Sequence, residues 1–140
     1  MTKARDIMHV GVECIGERET LDNAARRMRE LDVGALPICG DDDRLKGIIT
    51  DRDIVLKCVA AGRNPAELTA GELAQGIPFT IDAESDVDEV LHMMEDHRVR
   101  RLPVLDNHRV VGMISEADLG RNLPEERVGH FVETICATAS

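Results

Sequence analysis

The sequence predicts an α/β fold of α+β character, in which two copies of one β-α-β-β-α unit pack sheet to sheet. Two observations predict it. An internal repeat runs through most of the 140 residues, and each copy alternates between strand-like and helix-like hydrophobic spacing. A single strand hairpin is marginal in water, so two such units need each other's apolar faces.

The repeat keeps an almost constant offset. Pro37 matches Pro103 at an offset of 66 residues, whereas Gly47 matches Gly112 at an offset of 65. The second copy is one residue shorter between these positions, because the turn at 40–43 of the first copy is matched by a shorter turn at 106–107. The sequence therefore divides into repeat one, repeat two and a C-terminal helical extension, at residues 1–66, 67–124 and 125–140.

The elements of repeat one follow in order. A short strand at 13–15 precedes a helix over 21–31, whose apolar residues recur at helical spacing. Strands at 35–39 and 45–50 read as a hairpin. A helix over 51–61 follows, and the Gly and Pro residues just after it end it.

Repeat two has the same order, with a strand at 79–81, a helix over 86–97, a hairpin over 101–115 and a helix from 116. The extension adds a helix over 124–137 that has no counterpart in repeat one. Its apolar stripe has to cover either its own fold or a second chain, and we place it at a dimer contact. The stripe consists of Val128, Phe131, Val132 and Ile135.

Charge and composition exclude several classes of function. Acidic residues outnumber basic ones by 27 to 17, and the formal charge of −10 repels nucleic acids and anionic membranes. Phe79 and Phe131 are the only aromatic residues, too few for a base-stacking platform. No apolar run approaches the ~18 residues of a membrane span, and residues 1–10 lack a secretory pattern. We expect a cytoplasmic protein without nucleic-acid or membrane partners.

A hydroxyl-x-x-Asp motif ends the second hairpin strand of each copy, as Thr50 with Asp53 and as Ser115 with Asp118. The N–H groups at the start of the following helix favour an anion such as phosphate. The same pattern is also a helix capping box. Thr69 with Glu72 and Ser85 with Asp88 repeat it outside this context, so both interpretations stay open.

The chain resembles the cystathionine-β-synthase (CBS) domain family, whose domains occur in pairs. The resemblance rests on Gly34-Ala35-Leu36-Pro37-Ile38 with Leu45-Lys46-Gly47-Ile48-Ile49-Thr50-Asp51-Arg52-Asp53, and on Arg101-Leu102-Pro103-Val104 with Val111-Gly112-Met113-Ile114-Ser115-Glu116-Ala117-Asp118. It covers residues 3 to 124. The isolated pair, with cysteines at 14 and 39, is similar to the small stand-alone hypoxic-response proteins of this family.

The resemblance implies a regulatory sensor that binds an adenosine-type ligand, such as AMP, ATP or S-adenosylmethionine, in the cleft between the repeats. In the family the hydroxyl holds a phosphate and the aspartate holds the ribose, which assigns these roles to Thr50, Asp53, Ser115 and Asp118. The family also forms disc-like homodimers, and a protein partner would receive the signal. No cofactor is required.

Arg100 and Arg101 distinguish repeat two, because the matched positions of repeat one are Gly34 and Ala35. Arginines beside the cleft would supply the positive partner of a phosphate in an acidic protein. The alternative is that they reach solvent or pair with acidic residues of the preceding helix, at 95 and 96.

Cys14 and Cys39 would lie on parallel neighbouring strands in the family topology, close enough for a disulfide if the registers match. In a reducing cytosol they would stay free thiols. The alternative function is thus a stress- or hypoxia-linked interaction protein that binds no nucleotide and has a redox disulfide.

Catalysis and metal binding have little support in the sequence. No nucleophile–base grouping and no Gly-rich phosphate loop can be assembled, so we expect no enzyme activity. His92 and His97 are five residues apart, which is not the spacing that places two metal ligands on one helix face. We expect surface histidines and no metal site, with a site between chains or between His97 and His108 as the minority alternative.

Overall fold

The computed structural model describes residues 2–74 and 76–136, and these form two compact units. The central unit lies within Val12–Pro78. The terminal unit combines the described residues of Met1–Gly11 with those of Phe79–Ser140. Each unit buries its own cluster of apolar side chains, so each has a separate hydrophobic core.

The central unit contains a three-stranded sheet in the order β1-β2-β3. β1 is parallel to β2, and β2 and β3 form the predicted antiparallel hairpin. β2 is buried along its whole length, and alternate residues of β3 are buried. The elements are β1 (Ile15–Gly16), α2 (Leu21–Leu31), β2 (Ala35–Cys39), β3 (Leu45–Thr50), α3 (Asp51–Ile54) and α4 (Ala70–Leu73), with α1 (Ala4–Ile7) preceding them in the chain.

The helix predicted over 51–61 changes its hydrogen bonding after α3. Residues Val55–Val59 form a π-helix, in which the N–H of Ala60 donates to the carbonyl of Val55 at 2.8 Å. Cys58 is fully buried, whereas Val55 and Val59 are more than half exposed. The face of this helix that points away from the core is therefore apolar.

The terminal unit repeats the same sheet in the order β4-β5-β6, with a parallel β4–β5 pair and an antiparallel β5–β6 hairpin. The helices and strands follow the order of repeat one, and one further helix follows. The elements are β4 (Ile81–Asp82), α5 (Val87–His97), β5 (Arg101–Asp106), β6 (Arg109–Ser115), α6 (Glu116–Asn122) and α7 (Glu125–Cys136).

The first residues of the chain pack with the second repeat. α1 contacts α6 and β6, and His9 forms an isolated antiparallel bridge with Met113 of β6. In the central unit, α4 contacts β1 and β3 in the same way. Residues 4–8 match residues 70–74 at the offset of 66, and a short helix lies in each of these segments. Residues 2–11 therefore belong to repeat one in the division by sequence, but to the terminal unit, which contains repeat two, in the structure.

α7 covers α5 and α6 of its own unit. Phe131 and Ile135 are 1% and 3% exposed, whereas Val132 of the predicted stripe is 43% exposed. Arg127 pairs with Asp88 of α5, and the Nε2 of His130 lies 3.6 Å from a carboxylate oxygen of Glu95. The stripe was expected to cover either its own fold or a second chain, and Phe131 and Ile135 cover their own fold.

Candidate ligand-binding motifs

Thr50 and Asp53 bond to each other where β3 passes into α3. The N–H of Asp53 donates to the Thr50 hydroxyl oxygen at 3.1 Å, and the N–H of Thr50 donates to Asp53 Oδ2 at the same distance. The second carboxylate oxygen, Oδ1, lies 3.5 Å from the ammonium of Lys57. The Asp53 side chain is 24% exposed, so part of its carboxylate faces solvent.

Ser115 and Asp118 form the equivalent motif between β6 and α6, with tighter contacts. The N–H and the hydroxyl of Ser115 both donate to Asp118 Oδ2, at 2.8 and 3.1 Å. Arg121 donates to the other oxygen, Oδ1, at 2.6 Å. Asp118 is 4% exposed, and it is the one buried charged residue among those that the structure describes.

The two arginines of the second hairpin have different surroundings. Arg101 is the direct cross-strand partner of Ser115, so the structure brings Arg101 to the motif of repeat two. Among the described residues Arg101 has no ion pair. Arg100 pairs with Glu116 at 3.6 Å, and the expected alternative partners at 95 and 96 are therefore wrong.

The capping alternative holds for both motifs, because each makes the reciprocal bonds of a capping box. Thr69 with Glu72 makes the same box at the start of α4, away from either motif. Ser85 with Asp88 does not. α5 begins one residue later than a Ser85 capping box requires, so its N-cap is Asp86. The carboxylate of Asp86 accepts from the N–H of Glu89 at 3.0 Å.

The sequence analysis missed Lys57 and Arg121, the cations that pair with the two aspartates. Lys57 lies four residues after Asp53, in the π-helix that continues α3, and Arg121 lies three residues after Asp118, in α6. Cations at these spacings are neighbours of an acidic residue on a helix surface. Helical spacing was therefore a signal that could have identified them. At an offset of 65, Arg121 matches Leu56 of repeat one, which cannot pair with a carboxylate.

Cys14 and Cys39 form a disulfide within the central unit. Cys14 directly precedes β1, and Cys39 ends β2, where it is paired in register with Gly16. The Cα atoms are 5.6 Å apart, inside the ordinary range of about 4.4 to 6.8 Å. Cys58 is a buried free thiol, and Cys136 is an exposed one.

The terminal unit has a recess where the central unit has this disulfide. Thr80 and Leu105 occupy the positions equivalent to the two cysteines, and with His108 they line a cavity of about 280 Å³. A second recess of about 320 Å³ lies along α3 and the π-helix, lined by Arg52 and Leu56 among others. Thr50, Asp53, Ser115 and Asp118 line neither of these two recesses, although Asp51 and Arg52, which lie between Thr50 and Asp53, line the second.

The histidines lie on the surface. His92 and His97 are exposed, and the ring of His97 stacks on Phe79 with the ring centroids 3.7 Å apart. Within residues 2–74 and 76–136, no three His, Cys, Asp or Glu side chains are grouped closely enough to hold a metal ion. In the same part of the chain, no helix combines the length and the apolar character that a membrane crossing needs.

Two similar units, each with a hydroxyl and an aspartate at the end of a hairpin strand, define a tandem-repeat protein. A model of the CBS domain matches the chain twice, over residues 4–59 and 70–125. The chain therefore belongs to the CBS-domain family, and the predicted pair of β-α-β-β-α repeats is confirmed.

Hypoxic response protein 1 of Mycobacterium tuberculosis is 57% identical to the chain over 137 residues, which cover 98% of this chain and 96% of that protein. The crystal structure of Hypoxic Response Protein I with two coordinated zinc ions is 58% identical, with a TM-score of 0.77 over 88% of this chain and 100% of that one. The predicted resemblance to hypoxic-response proteins is confirmed.

The crystal structure of the protein CBSX2 in complex with AMP has the same fold. Its TM-score is 0.70 at 19% identity, over 86% of this chain and 95% of that one. The described part of this chain has no cluster of three His, Cys, Asp or Glu side chains that could hold a zinc ion. Cys14 and Cys39 form a disulfide, so their sulfur atoms are not thiolate ligands. The described residues of one chain therefore do not fit a zinc site by themselves.

Proposed function

We propose that this protein is a stand-alone regulatory sensor that binds an adenosine-type ligand, such as AMP, ATP or S-adenosylmethionine. The observation that carries the proposal is the hydroxyl-x-x-Asp motif in the same structural position of both repeats. Membership of the CBS-domain family supports it, and so does the AMP complex of the structurally similar CBSX2.

Each residue of the motifs has a role in this proposal. An aspartate of these motifs accepts hydrogen bonds from ribose hydroxyls, because a carboxylate is an acceptor with two oxygens, and Asp53 and Asp118 are the two candidates for this role. The hydroxyls of Thr50 and Ser115 bind phosphate oxygens. Arg101 lies opposite Ser115 and adds a charge-assisted bond to the same phosphate. Arg100 is held by Glu116 and contributes positive charge nearby.

The proposed role is regulatory and not catalytic. The motifs contain hydrogen-bonding groups that hold a ligand, without a nucleophile and base aligned for a reaction. The protein acts in the cytoplasm as a homodimer and passes its ligand state to a partner protein. The exposed apolar side chains of Val55, Leu56 and Val59 offer a surface for such contacts.

Thermal unfolding with and without ligand tests the nucleotide proposal. A ligand at about 100 times its Kd stabilises a protein by about 2.7 kcal/mol, which raises Tm by several degrees. We expect such a rise with at least one of AMP, ATP and S-adenosylmethionine, and its loss in the double variant Asp53→Asn, Asp118→Asn.

Glu72→Gln is the matched control, because Glu72 closes the capping box that lies outside both motifs. This variant loses the same kind of cap and should keep the ligand-induced rise. If no ligand raises Tm in the unmodified protein, or if all three proteins respond equally, the nucleotide proposal is wrong.

The Cys14–Cys39 disulfide favours a second function, a redox-dependent interaction protein of the hypoxic or stress response. The hypoxic-response relative supports this alternative. Intact mass after alkylation of the denatured protein without reductant tests it, and we expect two alkylated cysteines, the buried Cys58 and the exposed Cys136. Alkylation of all four would exclude the bridge.

A further inference from the structure

We infer that Arg121 closes the motif of repeat two in the ligand-free protein, so that recognition of the ribose falls to Asp53 of repeat one. This inference rests on the proposed function and concerns which of its two motifs accepts a ligand. It follows from a difference between the partners that the structure gives to Asp53 and to Asp118.

The carboxylate of Asp118 has its partners already. Ser115 donates twice to Oδ2, and the guanidinium of Arg121 donates to Oδ1 at 2.6 Å. The Asp118 side chain is 6% exposed, so little of it remains to receive a ligand. The proton of the Ser115 hydroxyl is also used inside the motif, because it is donated to the same carboxylate.

The carboxylate of Asp53 is held more loosely. Lys57 lies 3.5 Å from Oδ1, which is longer than an ordinary hydrogen bond, and 24% of the Asp53 side chain is exposed. The Thr50 hydroxyl accepts from the N–H of Asp53, which leaves its own proton free for a ligand oxygen. Leu56 occupies the position that matches Arg121, so no guanidinium can reach this motif from there.

The difference decides where a ribose binds. A ribose hydroxyl is a neutral donor, and it would have to displace a charge-assisted bond to reach Asp118 Oδ1. At Asp53 it has to displace only a long contact with a flexible lysine. The side chain of Arg121 is 66% exposed, and its bond to Asp118 Oδ1 is what closes the motif.

Titration calorimetry with AMP tests the inference through stoichiometry. We expect about one AMP per chain for the unmodified protein, none for Asp53→Asn, and about one for Asp118→Asn. Arg121→Leu copies the residue of repeat one and should bind about two. Arg109→Leu, which removes an exposed arginine of the same unit, should stay at one.

Arg121→Gln is the second variant, because it keeps a donor near the buried Asp118 if Arg121→Leu does not fold. Two AMP per unmodified chain, or one for Asp53→Asn and none for Asp118→Asn, would overturn the inference and leave the proposed function standing. The same would follow if both Arg121 variants bound as the unmodified protein does. Absence of binding in the unmodified protein would remove the proposed function and the inference together.

Discussion

Single residues explain why the two repeats keep certain identities. Gly47 and Gly112 occupy matching positions of β3 and β6. The segment after α4 packs closely on Gly47, and the segment after α1 packs closely on Gly112. A Cβ atom on Gly112 would lie 2.5 Å from the sulfur of Met8 and 2.9 Å from the carbonyl oxygen of His9. A Cβ on Gly47 would lie 2.8 Å from that of Ala74, the residue that matches Met8. The absence of a side chain here permits the segment to pack on the sheet.

We predict that Gly112→Ala destabilises the protein by about 1–3 kcal/mol, because the backbone of His9 has to move away. Gly120→Ala is the control, since no atom lies within 4 Å of its added Cβ and it lies in α6. Alanine there should leave stability unchanged or raise it by up to about 1 kcal/mol. Urea unfolding measures both, and equal effects would contradict the packing argument.

At the scale of elements, α7 supplies a covering layer that repeat one lacks. Phe131 and Ile135 fill the space over α5 and α6, and the Arg127–Asp88 ion pair and the His130–Glu95 contact flank them. The apolar contacts dominate, since exposed ion pairs contribute little to stability. α7 is therefore a part of the terminal unit's core.

We predict that Phe131→Ala lowers the free energy of unfolding by about 3–5 kcal/mol, the usual cost of emptying a buried phenylalanine site. Val132→Ala, one residue further along the same helix, removes an exposed side chain and should change it by less than about 0.5 kcal/mol. Circular dichroism during urea unfolding compares them. Similar losses would mean that α7 does not depend on its buried face.

Glu84 adds ion pairs to the backbone hydrogen bonds that hold the segment with α1 on the terminal unit. Its carboxylate lies 2.6 Å from the Lys3 ammonium and 2.5 Å from the Arg5 guanidinium. The hydrogen bonds from Lys3 and then from Arg5 lower the pKa of Glu84 below its usual value of 4.5. A lowered pKa in the folded state means that stabilisation is complete above pH 4.5 and is lost as the pH falls through the folded-state value.

We predict that Glu84→Gln increases amide exchange in residues 2–11 at neutral pH, because Lys3 loses its ion pair with Glu84 and Arg5 keeps only the longer one to Asp106, at 3.4 Å. The difference from the unmodified protein should shrink as the pH is lowered below 4.5, where Glu84 becomes protonated. Glu67→Gln, at an exposed acidic residue of the central unit, should show no pH-dependent effect in that segment. A difference for Glu84→Gln that grows at low pH would reverse the sign and refute the attachment.

Elements with several turns or strong alternation could be predicted from the sequence, and short ones could not. α2, α5 and both hairpins lie where periodicity places them, whereas α1 and α4 have four residues each and show no period. β1 and β4 have two residues, and pairing with β2 and β5 decides their position. The hydroxyl-x-x-Asp motifs were predictable as a pattern. The closure of Asp118 was not, because it depends on where the side chain of Arg121 lies.

At the scale of the whole molecule, the disulfide stabilises one unit directly. Cys14 and Cys39 both belong to the central unit and are 25 residues apart. A bridge over a loop of this length restricts the unfolded chain and contributes about 3–4 kcal/mol. The terminal unit has no bridge among its described residues, and its own core has to hold it.

We predict that reduction, or the variant Cys14→Ser, Cys39→Ser, lowers the amide protection of the central unit by roughly 3 kcal/mol and leaves the terminal unit nearly unchanged. Cys136→Ser, at an exposed free thiol, is the control and should affect neither unit. Hydrogen exchange read out by mass spectrometry resolves the two units. Equal losses in both would show that they unfold together.

The arrangement of the terminal unit has a consequence for the protein while it is being made. Residues 12–78 are contiguous, so the central unit has all of its chain soon after Pro78 leaves the ribosome. Residues 2–11 are synthesised before it, yet their partners in β6 and α6 follow about a hundred residues later, on the order of ten seconds at cellular rates. The apolar side of α1 stays uncovered during that interval, and the earliest part of the chain is among the last to reach its native place.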